Sequence, residues 1–111
     1  MSKVALLIGV SEYGAGLNPL PKAVDDIRAM RAILENPDLG GFTDVKELPN
    51  PDPFMMQLEI ERLFSDRSRD DLILLFFSGH GVKDDSGNLY FSTSITRKNS
   101  EGELIKATAV P

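Results

Sequence analysis

The stretch from Asp71 to Gly81 constrains the fold more than any other part of the chain. Leu72 to Phe77 are six consecutive apolar residues without alternation, and Ser78-Gly79-His80-Gly81 follows at once. An unbroken apolar run of this length fits a strand covered on both faces, in the middle of a mostly parallel sheet. Such sheets collect binding and catalytic groups outside the carboxyl ends of their strands. The one histidine of the chain, His80, therefore falls where chemistry is done. Its flanking glycines permit positive φ and the close approach of a substrate backbone. The Gly81 amide is suited to donate to a developing oxyanion. The plainer alternative is a turn histidine with its ring in water.

The rest of the chain alternates strands with helices. Lys3 to Val10 is apolar after its first residue and reads as a central strand. Ser11 to Leu20 is a loop marked by Gly14, Gly16, Asn18 and Pro19, with no Gly-Lys-Ser/Thr to suggest a phosphate loop. A helix is expected from Pro21 to just before Pro37, with Ala23, Ile27, Met30 and Leu34 as its buried stripe. Asp25 points away from that stripe and Asp26 lies on its flank, both near the helix start, where the dipole favours a carboxylate. Asp44 to Pro49 reads as a short strand anchored by Val45 and Leu48. Asp52 and Pro53 are a cap and a first-turn proline for a helix to about Phe64. Met56, Ile60, Leu63 and Phe64 are expected on its core face, and Glu59, Glu61 and Arg62 on its wet side. Ser86-Gly87-Asn88 predicts a hairpin beside the histidine. Thr96 to Gly102 reads as polar and mobile, and Glu103 to Pro111 as a loop that opens a further helix. This order predicts an α/β fold, a mostly parallel central sheet flanked by helices, built from right-handed βαβ units.

Composition narrows the function classes. Seventeen acidic residues against twelve basic ones give a net charge of −5, with no Lys/Arg cluster, which argues against a nucleic-acid surface. Cysteine is absent and histidine occurs once, so neither a thiolate nor a histidine-based metal site is expected. Asp84 and Asp85 are the candidates for a calcium site, although paired aspartates in a turn are ordinarily turn formers. No apolar run nears the ~20 residues that span a bilayer. The apolar N-terminal run is followed at once by Glu12 without a cleavage site, so it reads as a strand and not a signal peptide. A cytoplasmic protein without a membrane or nucleic-acid partner is expected.

Phe77-Ser78-Gly79-His80-Gly81 resembles the histidine motif of the caspase-like cysteine peptidases, especially metacaspases and their bacterial relatives. Val4-Ala-Leu-Leu-Ile-Gly-Val10 resembles the first strand of that family. Leu20-Pro-Lys-Ala-Val-Asp-Asp-Ile-Arg-Ala-Met30 resembles the opening of its first helix. The three segments occur in the family's order and spacing and cover most of the chain.

The resemblance implies a cysteine endopeptidase in which His80 aids proton transfer and Gly81 supplies an oxyanion amide. It implies that Asp26 lines the pocket for the substrate side chain before the cut, favouring Arg or Lys by charge pairing. No arginine occurs between Ser11 and Lys22 to reverse that preference. Ser78 either lies near the same pocket or simply closes its strand. Many metacaspases require calcium, which is the second ground for considering Asp84 and Asp85, but no cofactor is otherwise expected. The nucleophile of such enzymes follows the histidine by about 50 residues, near position ~130. Residues 1–111 are therefore expected to be the N-terminal portion of a single caspase-like peptidase domain. Its partners are then a protein or peptide substrate and the remainder of the domain, which carries the cysteine; alone, these residues hydrolyse nothing. A non-catalytic caspase-like module that binds or regulates a partner is the competing expectation. A receiver-type α/β domain fits less well, because Val10, Pro49 and Ser78, not aspartates, close the three strands.

Overall fold

The computed structural model describes residues 2–111. Three parallel strands, β1 (Lys3–Gly9), β2 (Asp44–Pro49) and β3 (Leu72–Ser78), form a sheet in the order β2-β1-β3. Helix α1 (Ala23–Glu35) connects β1 to β2, and α2 (Pro53–Phe64) connects β2 to β3. The chain steps to one side of β1 and then back across it, so right-handed crossovers put the two helices on opposite faces. Alternate residues of β1 serve both. Val4, Leu6, Ile8 and Val10 pack with Met56 and Leu63 of α2. Ala5 and Leu7 pack with Ile27 and Leu34 of α1 and with Phe42 and Val45.

The run from Leu72 was expected mid-sheet, but β3 stands at the sheet's edge, and the central strand is β1. The apolar character of β3 is still used on both faces. Ile73, Leu75 and Phe77 meet the α2 side, and Leu74 and Phe76 the α1 side. Each is only half-buried, because among the described residues no strand covers its outer edge.

Helix α2 begins as its sequence indicates, with Asp52 Oδ1 accepting from the Met55 amide at 2.8 Å. Its wet side needs correction. Glu59 is only 4 % exposed, whereas Phe64 is 56 % exposed. The spacing Met56, Glu59, Leu63 puts Glu59 on the inward stripe. Lys46 Nζ reaches one of its oxygens at 2.6 Å and Arg62 Nη1 the other at 3.0 Å. The Lys46 hydrogen bond, with smaller help from Arg62, holds the Glu59 carboxyl below its ordinary range against the opposing effect of burial. A lowered folded-state pKa means stability that is present above the unfolded value and is lost as pH falls through the folded one. Glu59→Gln is therefore expected to flatten the acid side of a melting-temperature profile between neutrality and strong acid. Glu59→Ala should cost about 1–3 kcal/mol at neutral pH, since the exposed Lys46 and Arg62 ends regain water. An unchanged acid limb in Glu59→Gln would show that the pair contributes nothing to folding.

After β3 the chain makes an antiparallel hairpin, β4 (Gly81–Lys83) with β5 (Leu89–Phe91), turned through Gly87 at φ +85°. The segment from Thr96 to Gly102, expected to be mobile, is anchored. Thr96 is buried, and its hydroxyl and that of Thr93 both donate to the Thr108 carbonyl. Lys98 bridges to Leu104, and Asn99 Oδ1 accepts the amides of Glu101 and Glu103. Its polar residues bond inward to one another and to backbone, which composition does not reveal. Among the described residues, no helix of α type opens after Glu103. Lys106–Thr108 is a single 3-10 turn, and Val110 pairs with Phe91.

Candidate active site

The carboxyl ends of β1 and β3 part just after the Val10 amide donates to the Ser78 carbonyl at 2.9 Å. Into this fork fold the loop after β1 and the turn that carries His80. The loop is tied down along its length. Asn50, at the end of β2, offers Oδ1 to the amides of Ser11 and Glu12. The Gly14 amide donates to the Thr96 carbonyl, and the Leu20 amide closes the loop onto the Ser11 carbonyl, each at 2.9 Å. Asn18 precedes a proline, which keeps its backbone out of the helical region and limits where its carbonyl can aim.

That carbonyl lies 2.8 Å from His80 Nε2. A carbonyl oxygen only accepts, so Nε2 carries a proton in this arrangement, and the neutral ring keeps its lone pair on Nδ1. The half-buried imidazole thus has one nitrogen held by protein and the other left as a proton acceptor. Tyr13 tilts against the ring with centroids 4.7 Å apart. Its hydroxyl accepts from the His80 amide at 2.9 Å and donates to the Val10 carbonyl at 2.7 Å. On the other side, the His80 carbonyl accepts from the Ser92 amide at 3.1 Å.

The glycines around His80 serve a different purpose from the one expected. Positive φ occurs at Gly16, Gly41, Gly87 and Gly102, but at neither Gly79 nor Gly81. Gly79 is needed for space: a Cβ there would stand 2.9 Å from both Tyr13 Oη and Phe77 Cζ. Gly81 is exposed and faces Phe91, whose amide and carbonyl both pair with Val110 on its far side. By the alternation of antiparallel pairing, the Gly81 amide then points outward from the hairpin, where it can donate to a ligand.

Asp26 sits in the first turn of α1, exposed, and its Oδ2 accepts from Ser78 Oγ at 2.9 Å. The two come from positions 52 residues apart and meet at the rim of a cavity of about 400 Å³. Leu20, Pro21, Lys22 and Ala23 complete its lining. The apolar floor is bordered by one carboxylate and by the Lys22 side chain, so a cationic substrate end is favoured only on the Asp26 side. Ser78 lies two positions before His80 in the same turn, so the cavity and the imidazole share one scaffold. Asp26, Ser78, His80 and Gly81 are thus all carried at the same end of the sheet. Sequence reasoning missed Tyr13, Asn18 and Asn50. Asn18 acts through its main chain, which leaves no residue signature.

Asp84 and Asp85 stand apart, in the hairpin turn. Asp84 accepts the amides of Ser86 and Asn88 and the Asn88 side chain, which lower its pKa. Glu103 pushes the Asp85 carboxyl up, by a shared hydrogen bond and by its charge. Among the described residues, no group of three or more His, Cys, Asp or Glu side chains is arranged to hold a metal ion. Nor is any helix among them long and apolar enough to cross a membrane.

No curated protein matches the chain. A family model described as a caspase domain matches residues 2–106, nearly all of it. With that match across the parallel sheet, both helices and the histidine turn, the chain belongs to the caspase-domain family of cysteine peptidases.

Proposed function

We propose that this chain supplies the proton-transferring histidine and the basic-residue pocket of a caspase-like cysteine endopeptidase. His80 takes and returns the proton through Nδ1 while Asn18 holds Nε2. The outward amide of Gly81 stabilises the oxyanion. Asp26, with Ser78 donating to one of its oxygens, pairs with an Arg or Lys side chain of a protein or peptide substrate. The observation that carries the reading is the Ser78–Asp26 hydrogen bond of 2.9 Å at the rim of the cavity, two residues before His80. That bond ties the α1 carboxylate to the strand end from which the His80 turn leaves.

The attacking thiolate belongs to a partner segment, the remainder of the same domain, of which residues 1–111 form the N-terminal portion. The outer edge of β3 supports this, since its half-buried apolar residues are suited to a further strand. No cofactor is required by this chemistry. A cytoplasmic setting is part of the proposal, because a reducing compartment keeps a thiolate unoxidised.

The test is hydrolysis of matched fluorogenic peptides by a version of the domain extended through its cysteine. Peptides with Arg or Lys before the cut are expected to exceed the Asp peptide in kcat/KM by at least about 100-fold, the worth of one charge-assisted pair against a like-charge clash. Preference for the Asp peptide would overturn the pocket assignment. An extended natural sequence with no cysteine would favour a non-catalytic binding module instead.

A further inference from the structure

The hydroxyl of Tyr13 makes every hydrogen bond that a phenol can make. It donates one, to the Val10 carbonyl at 2.7 Å. It accepts two, from the His80 amide at 2.9 Å and from Ser92 Oγ at 3.2 Å. These partners come from three places: the end of β1, the turn after β3 and the strand end after β5. Val10 and Ser92 are both fully buried. Just beyond the last β1–β3 ladder bond, the Val10 carbonyl and the His80 amide each bond the phenol oxygen, which stands between them. The absence of a side chain at residue 79 leaves the room that this oxygen fills.

We propose that Tyr13 is a positioning residue for His80. Its hydroxyl fixes the His80 main chain, and its ring walls one side of the imidazole, so that Nε2 stays on the Asn18 carbonyl and Nδ1 faces outward. The inference rests on reading His80 as the proton-transfer residue, but its test does not. Side-chain packing alone would not require the hydroxyl, and the tilted ring alone would not hold the amide. The two together restrain the residue at both its backbone and its ring.

His80 is the only histidine in the chain, so its ring gives one unambiguous set of NMR signals. In the unsubstituted chain the His80 amide should be protected from exchange, and its side-chain couplings should report a single χ1 rotamer. Tyr13→Phe keeps the ring and removes the hydroxyl. It is expected to speed exchange of the His80 amide by about tenfold, the equilibrium worth of one hydrogen bond, and to average the rotamers. Exchange at Leu74 and Phe76, whose amides face β1 in the ladder, should stay as it was, which separates positioning from a general loss of stability. Unchanged exchange and couplings at His80 in Tyr13→Phe would overturn the proposal. Should that variant fail to fold, Gly79→Ala expels the same hydroxyl by its Cβ while leaving Tyr13 and His80 in the chain, and the same loss is expected. An undisturbed His80 amide there overturns it equally. In the extended, active domain the matching result is a lower kcat for Tyr13→Phe with KM held. Failure of the catalytic reading is seen separately, as hydrolysis that survives His80→Ala.

Discussion

His80→Ala, in a form of the domain that carries its cysteine, is expected to lower kcat by about 10³-fold while leaving KM within a few-fold. The imidazole has one nitrogen committed to the Asn18 carbonyl and one left to accept a proton. Removing it takes away that acceptor without altering the cavity beside Asp26 and Ser78. The ring is only half-buried, so the variant should fold. Asn18→Ala is the informative control. Residue 18 acts through its carbonyl, and an alanine carbonyl in the same pre-proline position does the same, so kcat should barely move. Steady-state kinetics on the two variants settle the matter. Equal damage from both would mean that the Asn18 side chain acts in the site, and normal turnover by His80→Ala would remove the residue from the chemistry.

The second large effect is expected at Asp26. Asp26→Ala should reduce kcat/KM for an Arg peptide by about 10²-fold, which is what a hydrogen bond between charged partners is worth in a sheltered site. Asp26→Asn separates charge from shape, because it can still accept from Ser78 yet offers no net charge to a guanidinium. Its loss should approach that of alanine and should fall chiefly on KM. Ser78→Ala leaves the carboxylate in place and removes only its steadying donor, so its cost should be several-fold smaller. Melting curves of the three should agree closely, since Asp26 is exposed and Ser78 only half-buried. Arg-peptide hydrolysis unaffected by Asp26→Ala would place the basic-residue pocket elsewhere.

The elements best read from sequence were those with local causes. The bounds of β2 and α2 follow from Asp44, Pro49, Asp52 and Pro53, each of which acts on its own or adjacent backbone. The histidine turn at the sheet's carboxyl end was legible for the same reason, as an apolar run that stops at Gly-His-Gly. What stayed hidden depends on partners distant in the chain. Glu59 was assigned to water because it is charged, although its spacing from Met56 and Leu63 marks the inward stripe; only the arrival of Lys46 from β2 makes burial tolerable. The edge position of β3 could not be read from its residues, since an apolar run signals two covered faces and says nothing about neighbours in the plane of the sheet. Thr96 was read as part of a mobile segment because composition does not report that its hydroxyl and that of Thr93 bond the Thr108 carbonyl. At the candidate site, Asp26 was visible through the family resemblance, but its hydrogen bond to Ser78 joins residues 52 positions apart.

The central position of β1 also governs how the chain must fold. Val4 pairs with Asp44 and Lys3 with Leu72, so β1 emerges before either of its two partners in the sheet. Its apolar side chains await both helices, and its second edge stays unpaired until the histidine strand itself has emerged. Every contact of the parallel sheet therefore closes a long loop, which slows its formation relative to the local β4–β5 hairpin. The same late event that completes the core delivers His80 to Tyr13 and Asn18, so the site cannot assemble ahead of the fold that supports it.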